Sequence, residues 1–339
     1  MAKQGYIPIR LKVLESEKIS PNLQRIYFGG SGLADFVPAA PIYDQRIKVL
    51  VPSPGKKLPE LSEEDWYGSW LKLPEDERGA LRTYTVREFD SERLSVDFVL
   101  HLKPGATGPV STWAASAKPG DEVIIVGGTS VEAANLGVEF SPRGADFIEL
   151  VGDETALPAI ARILQDLSPT ATGRACIEVP TTLDVLPELE HSGFEIVWLP
   201  RDGREVGTLM CERLLEHCVS SEGGRCCRCE DCYLLSQNAP LLISEAEEAG
   251  TSSVVNGNDE IVWETPTFSA AGEEIETSAE QKLSEAEPEA APLAGKTYYW
   301  IAGEATAVTR IRRVLVKERG ISREEVSFMG YWKKGRVLG

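Results

Sequence analysis

Residues 145–167, ADFIELVGDETALPAIARILQDL, decide the fold. A short apolar run ends at Gly152, and ETALPAIARILQDL then has helical spacing, so the pattern switches from strand to helix within a few residues. The same switch recurs downstream. RACIEVP is followed by a short helix expected at Leu183–Leu189. FEIVWLP is followed by TLMCERLLEHC, which has a helical pattern. TYYWIAG is followed by EATAVTRIRRVLVKERG, with Ala305, Val308, Ile311 and Leu315 along one face, and EVSFMGYW closes the series. Strands alternating with helices predict a parallel sheet covered by helices on both faces.

Upstream of this unit the period is different. Tyr6–Leu14, Leu23–Phe28, Arg46–Val51, Arg82–Val86, Leu94–His101 and Glu122–Val126 alternate apolar and polar residues, as in RLSVDFVL, and are separated by GGSG, VPSPG, KPGATGP and AKPGD. Six short strands with one long polar excursion, about residues 52–80, predict a six-stranded antiparallel Greek-key barrel. The expected division is a β domain over 1–142 and an α/β domain over 143–339, the latter interrupted by an insertion at 219–294. That insertion holds 16 acidic residues against Arg225, Arg228 and Lys282, and so carries 13 of the chain's 18 excess negative charges. Its composition predicts a largely disordered segment.

With 339 residues and 42% hydrophobic content the chain is long enough for two cored domains. A net charge of −18 argues against nucleic acid as a partner, since phosphate binding needs a basic footprint. It argues equally against an anionic membrane surface. MAKQGYIPIRLKVLESEK has no apolar stretch of signal-peptide length, and no run is long enough to span a bilayer. The expectation is a cytoplasmic protein without stable membrane insertion.

In an open parallel sheet, ligands bind beyond the carboxyl ends of the strands. Those ends read Gly152-Asp153-Glu154-Thr155, Pro180-Thr181, Arg201, Gly303-Glu304 and Gly330-Tyr331-Trp332. Two of them are a glycine leading into a helix, which lets a ligand approach the backbone; Asp153 or Thr155 would serve equally as an ordinary N-cap. The G-x-G-x-x-G fingerprint is absent. Arg201 has the planar fork that suits a phosphate, and Asp202 beside it offers a local charge pair instead. In the β block, Arg82-Thr83-Tyr84-Thr85 puts a cation and an aromatic face on one side of a strand and two hydroxyls on the other. GATGPVSTWAA is a Gly-Pro loop leading into a short helix with Ser111 near its start, where a phosphate could bind. Together the two motifs fit a flavin dinucleotide.

The order RTYT, DFVLH, GPVSTWA, KPGDEVIIVGG, GDETALPAI, WLPRDG, YYWIAGEATAVTRIRRVL, GYWKKG resembles the siderophore-interacting proteins, which are NAD(P)H-dependent ferric-siderophore reductases of the ferredoxin–NADP reductase superfamily. The resemblance covers both blocks and omits the insertion. It implies FAD in the barrel and NADPH or NADH at the α/β domain, with hydride passing to the flavin and single electrons then passing to Fe(III). By motif position it implies Arg82 at the FAD pyrophosphate, Tyr84 against the flavin, Thr83 and Thr85 beside them with Thr85 near N5, and His101 lining the flavin or ribityl contact. It further implies Gly108 and Ser111 at the pyrophosphate and Trp113 closing the adenine end. Gly152, Asp153, Glu154 and Thr155 would form the nicotinamide-side loop facing Gly303 and Glu304. Arg201 would approach a nucleotide phosphate, and Tyr331 and Trp332 would pack near the flavin. Many ferric siderophores are anionic, so basic residues should interrupt the acidic surface. Lys48 and Lys333 are the candidates, ahead of Arg46 and Lys334.

GRCCRCEDCYLL departs from that pattern. Cys226, Cys229 and Cys232 have the spacing of iron–sulfur ligands, with Cys227, Cys211 or Cys218 available as a fourth. The expectations are an iron–sulfur cluster or zinc, against a flexible loop of reduced thiols. Two other functional readings stay open: a reductase of the same fold with a protein or different small-molecule acceptor, and a siderophore-binding adaptor without turnover.

Overall fold

A computed structural model describes residues 5–100, 108–220, 263–264, 293 and 295–335. The β block forms one curled antiparallel sheet of seven strands: β1 (Tyr6–Ser20), β2 (Leu23–Gly29), β3 (Arg46–Val51), β4 (Ala80–Thr85), β5 (Glu88–Phe89), β6 (Leu94–Val99) and β7 (Glu122–Gly128). Their order is β4-β3-β7-β1-β2-β6-β5. The count is seven where six were expected, because Glu88–Phe89 folds back on β6 as a two-residue hairpin partner too short to show a period. β4 and β5 stand at the two ends of the sheet, so the strand ladder itself does not close. Curling still brings β4 against β6, where the rings of Tyr84 and Phe98 lie 4.4 Å apart. β1 runs six residues past the expected Leu14, carried through register shifts after Val13 and after Lys18.

The polar excursion holds a helix, α1 (Trp66–Leu71), that the composition hid. Trp66 and Trp70 are four residues apart, so they share one face and seat it on Leu50, Leu58, Leu81 and Ile124. The Asp65 carboxylate caps the helix by accepting from the Gly68 N–H. Two further helices follow in the β block, α2 (Pro109–Ser116) and α3 (Val131–Asn135).

The second sheet has β8 (Phe147–Gly152), β9 (Gly173–Val179), β10 (Phe194–Pro200), β11 (Trp263–Glu264), β12 (Thr297–Glu304) and β13 (Val326–Trp332), in the order β10-β9-β8-β12-β13-β11. The five expected strands are mutually parallel, and β11 pairs antiparallel with β13 at the edge. Helix α4 (Leu157–Asp166) packs on one face of the sheet, and α5 (Thr208–Ser220) with α6 (Ala305–Arg312) pack on the other. A π-helical turn, Arg313–Glu318, prolongs α6. The helix expected at Leu183–Leu189 is only a 3-10 turn, Thr182–Asp184. Asp184 explains the stop. Its carboxylate is occupied by Thr181 and by Ser20 and Asn22 of the first sheet. Within the stretch expected as an insertion, Trp263 and Glu264 form β11 against β13, and Leu293 is buried in the core.

The two sheets meet across a shared apolar cluster in which Leu23, Val99 and Phe140 join the face covered by α4. Asp44, fully buried, ties this junction together. It accepts from the Glu139 and Phe140 N–H groups and from Trp300 Nε1 at 2.9 Å. Burial raises its pKa despite those donors. No helix among the described residues is long and apolar enough to cross a membrane.

Candidate functional site

The RTYT strand is β4, and its partner is β3, with Arg82 opposite Val49, Thr83 opposite Lys48, Tyr84 opposite Ile47 and Thr85 opposite Arg46. Side chains alternate across a strand, so Arg82 and Tyr84 share the inner face and Thr83 and Thr85 the outer one. Tyr84 lies in the gap between β4 and β6. Its ring tilts over Phe98, and Phe98 meets Trp113 of α2 edge-on at 6.1 Å. Burial raises the Tyr84 phenol's pKa well above the ordinary tyrosine range, with Arg82 nearby only partly opposing it.

Arg82 is half-buried. It donates to the Leu81 carbonyl at 2.8 Å and makes no ion pair among the described residues. Burial lowers its pKa, and no carboxylate compensates. Helix α2 packs against the same strand. Gly108 occupies its N-cap position, no side chain caps the first turn, and Pro109 stands where a free N–H would be unsatisfied anyway. An uncompensated guanidinium on a strand packed against an uncapped helix is a donor set suited to a diphosphate. Ser111 contributes differently from its motif position: its hydroxyl donates to the Val99 carbonyl at 3.0 Å and fastens α2 to β6.

On the outer face, Lys48 Nζ donates to Thr83 Oγ1 at 2.7 Å. Thr85 is buried at the end of the strand nearest the second sheet. There Arg46 pairs with the Glu139 carboxylate and donates to the Gly137 carbonyl.

The strand ends of the parallel sheet converge on Asp153. Its carboxylate is fully buried and accepts from the Thr155 N–H and hydroxyl, from the Glu304 N–H at 2.8 Å and from Trp332 Nε1 at 2.9 Å. One side chain therefore links the ends of β8, β12 and β13. Gly303 makes this possible: its φ is +147°, and a Cβ there would sit 2.7 Å from Asp153 Oδ2. Gly152 serves packing, since a Cβ would meet that of Ala156 at 2.4 Å. Glu304 caps α6, accepting from the Thr306 and Ala307 N–H groups, and also accepts from the Lys334 N–H. Tyr331 packs edge-on to Trp300, within electrostatic reach of Asp44, Arg46 and Asp153. Lys333 is half-buried just past β13, and Lys334 Nζ pairs with Glu205.

Arg201 is committed inside the domain. Its guanidinium forms a bidentate pair with Glu154 at 2.6 and 2.7 Å and reaches Glu178 at 3.3 Å. Glu178, fully buried, accepts from the Gly207 and Met210 N–H groups at the start of α5. The sequence reading passed over Glu178, although a carboxylate inside the apolar run RACIEVP was the available signal. It passed over Asp44 and Glu139 as well, which lie in unremarkable loops.

His101 and Cys226, Cys227, Cys229 and Cys232 lie outside the described residues. Among the described residues no three His, Cys, Asp or Glu side chains are grouped to hold a metal, and Cys176 and Cys211 are buried free thiols.

Burial, followed by the adjacent Glu154 charge, pushes the Asp153 pKa up to about 7. The folded state therefore keeps this proton to a higher pH than the unfolded chain, where aspartate titrates near about 3.9. Asp153 contributes its full stability below that lower value and loses it as pH rises toward 7. In a urea-unfolding series, the stability of the wild type relative to Asp153→Asn should fall as pH is raised through this window and level off above it. A relative stability that climbed with pH would contradict the assignment.

Two family models match the chain, "Siderophore-interacting FAD-binding domain" over residues 12–131 and "Siderophore-interacting protein" over residues 145–335. A Mycobacterium tuberculosis protein described as uncharacterized is 29% identical over 331 residues, spanning 96% of this chain and 90% of its own. An Escherichia coli protein named NADPH-dependent ferric-chelate reductase is 30% identical over 211 residues, 60% of this chain and 75% of its own. The crystal structure of a siderophore utilization protein from T. fusca superimposes with a TM-score of 0.64 at 26% identity, covering 98% of this chain and 95% of that one.

Proposed function

Since the chain belongs to the siderophore-interacting protein family, we propose that it is an FAD-dependent reductase that uses a nicotinamide nucleotide to reduce ferric siderophores inside the cell. The observation that carries this reading is Arg82. It is a half-buried cation without a carboxylate partner among the described residues, on the strand against which the uncapped helix α2 packs and two residues from Tyr84 in the gap of the curled sheet. When bound, FAD accepts an electron pair and releases electrons singly, the conversion that Fe(III) reduction by a nicotinamide requires.

The chain's own residues orient and shield. Arg82 and the first N–H groups of α2 would hold the diphosphate, and Tyr84 would offer a ring face to the flavin. Asp153 holds the ends of three strands of the parallel sheet in register, so Tyr331 and Trp332 keep a fixed position beside the nicotinamide-side loop. Arg201 supports that loop through Glu154, and no phosphate role for it is needed. Lys48 and Lys333 would attract an anionic ferric chelate. Iron enters as substrate, and hard oxygen donors hold Fe(II) less well than Fe(III), so reduction loosens the complex.

Steady-state oxidation of NADPH and of NADH with FAD-loaded protein, with and without a ferric siderophore, tests the reading. It predicts oxidation that depends on the siderophore and yields chelatable Fe(II). Rapid turnover of some other acceptor, or no turnover at all, would favour a different reductase or an adaptor. Lys48→Glu should raise KM for an anionic ferric siderophore several-fold, and more steeply at low ionic strength. An unchanged KM at low salt would remove Lys48 from the docking surface.

A further inference from the structure

Two strands carry the two halves of the site, and one buried carboxylate joins them. β3 pairs with β4, the strand of Arg82 and Tyr84, and its first residue, Arg46, lies opposite Thr85. β12 is hydrogen-bonded on both sides, to β8 and to β13, and the ends of these three strands are the ones that Asp153 links. Asp44 stands two residues before Arg46 and is fully buried. Its oxygens serve different partners. Oδ1 accepts from the Glu139 and Phe140 N–H groups at 3.1 and 3.0 Å, and Oδ2 accepts from Trp300 Nε1, in β12, at 2.9 Å. Trp300 is fully buried as well, and its ring stands nearly perpendicular to that of Tyr331, with centroids 6.4 Å apart. Glu304, whose N–H binds Asp153, lies four residues further along β12, roughly 13 Å away. A shift of β12 at Trp300 would therefore move both Tyr331 and the Asp153 tie.

We propose that Asp44, acting through Trp300, is a positioning residue that sets the nicotinamide side of the site against the flavin side. The proposal rests on the function proposed above and adds to it the means by which the two domains are held at a working distance. Adhesion alone does not call for this arrangement. Leu23, Val99 and Phe140 already join the face covered by α4 in an apolar cluster, and a buried carboxylate costs stability relative to a well-packed apolar side chain. What the hydrogen bond adds is direction. An indole N–H aimed at one carboxylate oxygen fixes both the separation and the angle of β12 relative to β3, whereas an apolar contact tolerates sliding. Transfer between two bound groups depends on that geometry, and a displacement of about 1 Å can cost about a hundredfold in rate. Other carboxylates that cross the junction sit elsewhere. Asp184, on a turn, accepts from Ser20 and Asn22, and Asp166, on α4, accepts from the Tyr43 N–H.

The separate partners of the two oxygens make the test selective. In Asp44→Asn the side-chain oxygen can keep the two backbone donors, and the amide then turns its own N–H groups toward the Trp300 N–H, donor against donor. Trp300→Phe removes the donor and keeps a ring in the core. In anaerobic stopped flow on FAD-loaded protein, each variant is expected to lower the rate constant for flavin reduction at saturating NADPH by about tenfold or more, with the dissociation constants of FAD and NADPH little changed. The long-wavelength charge-transfer absorbance of oxidised nicotinamide against reduced flavin, which requires stacked rings, should weaken in both. The double variant should be no slower than the slower single one, since both changes remove the same bond. Asp184→Asn, which alters a cross-domain carboxylate on a turn, should lower stability to urea and leave that rate constant unchanged. Unslowed flavin reduction in both Asp44→Asn and Trp300→Phe would overturn the proposal. So would an equal slowing in Asp184→Asn, which would mark a general loss of packing. A wild type whose flavin neither NADPH nor NADH reduces would bring down the proposed function itself, a result distinct from those.

Discussion

Replacing Arg82 with alanine should cost FAD affinity on the order of ten- to a hundredfold, because a charge-assisted hydrogen bond to a phosphate is worth roughly 1.5–3 kcal/mol. Folding stability should hardly change. Arg82 gives up one bond to a neighbouring carbonyl and leaves no buried carboxylate behind. Calorimetric FAD titration paired with thermal unfolding of the apoprotein measures both quantities. Tight FAD binding by the variant would mean that the diphosphate lies elsewhere, and a large loss of stability would mean that Arg82 is a structural residue.

Arg201→Met should give the opposite result. The change leaves Glu154 and Glu178 facing each other without a cation in a buried site, and breaking such a pair costs about 3–5 kcal/mol. Glu178 retains its two backbone donors at α5, so the damage should fall mainly on Glu154 and its loop. Adding Glu154→Gln should therefore recover part of the loss. Urea unfolding of the single and double variants measures this. If Arg201 instead binds a nucleotide phosphate, as its motif position implies, the single variant should unfold normally and show a raised KM for NADPH alone.

These two arginines show how far the sequence could be read. Both stand in motifs of the family, and both carry the planar fork that suits a phosphate. What separates them is the distribution of carboxylates in space. Glu154 and Glu178 lie 47 and 23 residues from Arg201 and reach it only when β8, β9 and the end of β10 are laid side by side. The parallel sheet itself was legible because each strand is a buried apolar run followed by a helical period, and residues 145–167 display both in succession. The β block was legible as alternating strands but not as a count, since Glu88–Phe89 is a strand only by virtue of its neighbour. Helix α1 was missed because two tryptophans at i, i+4 were outweighed by the charge around them. β11 escaped for the same reason inside the acidic segment. Asp153 was named from its place at a strand end, but its linking of three strands depends on the +147° φ of Gly303, which no pattern of residue types displays.

On the proposed function, electrons travel from a nicotinamide through FAD on this chain to siderophore-bound iron. The most direct test observes the two half-reactions separately, without oxygen, on FAD-loaded protein in a stopped-flow spectrophotometer. NADPH or NADH should bleach the visible flavin bands. A ferric siderophore mixed in afterwards should restore them as Fe(II) appears in a chromogenic chelator, with two irons reduced for each flavin. A flavin that the nicotinamide never bleaches, or that stays bleached in the presence of the ferric siderophore, would contradict the account.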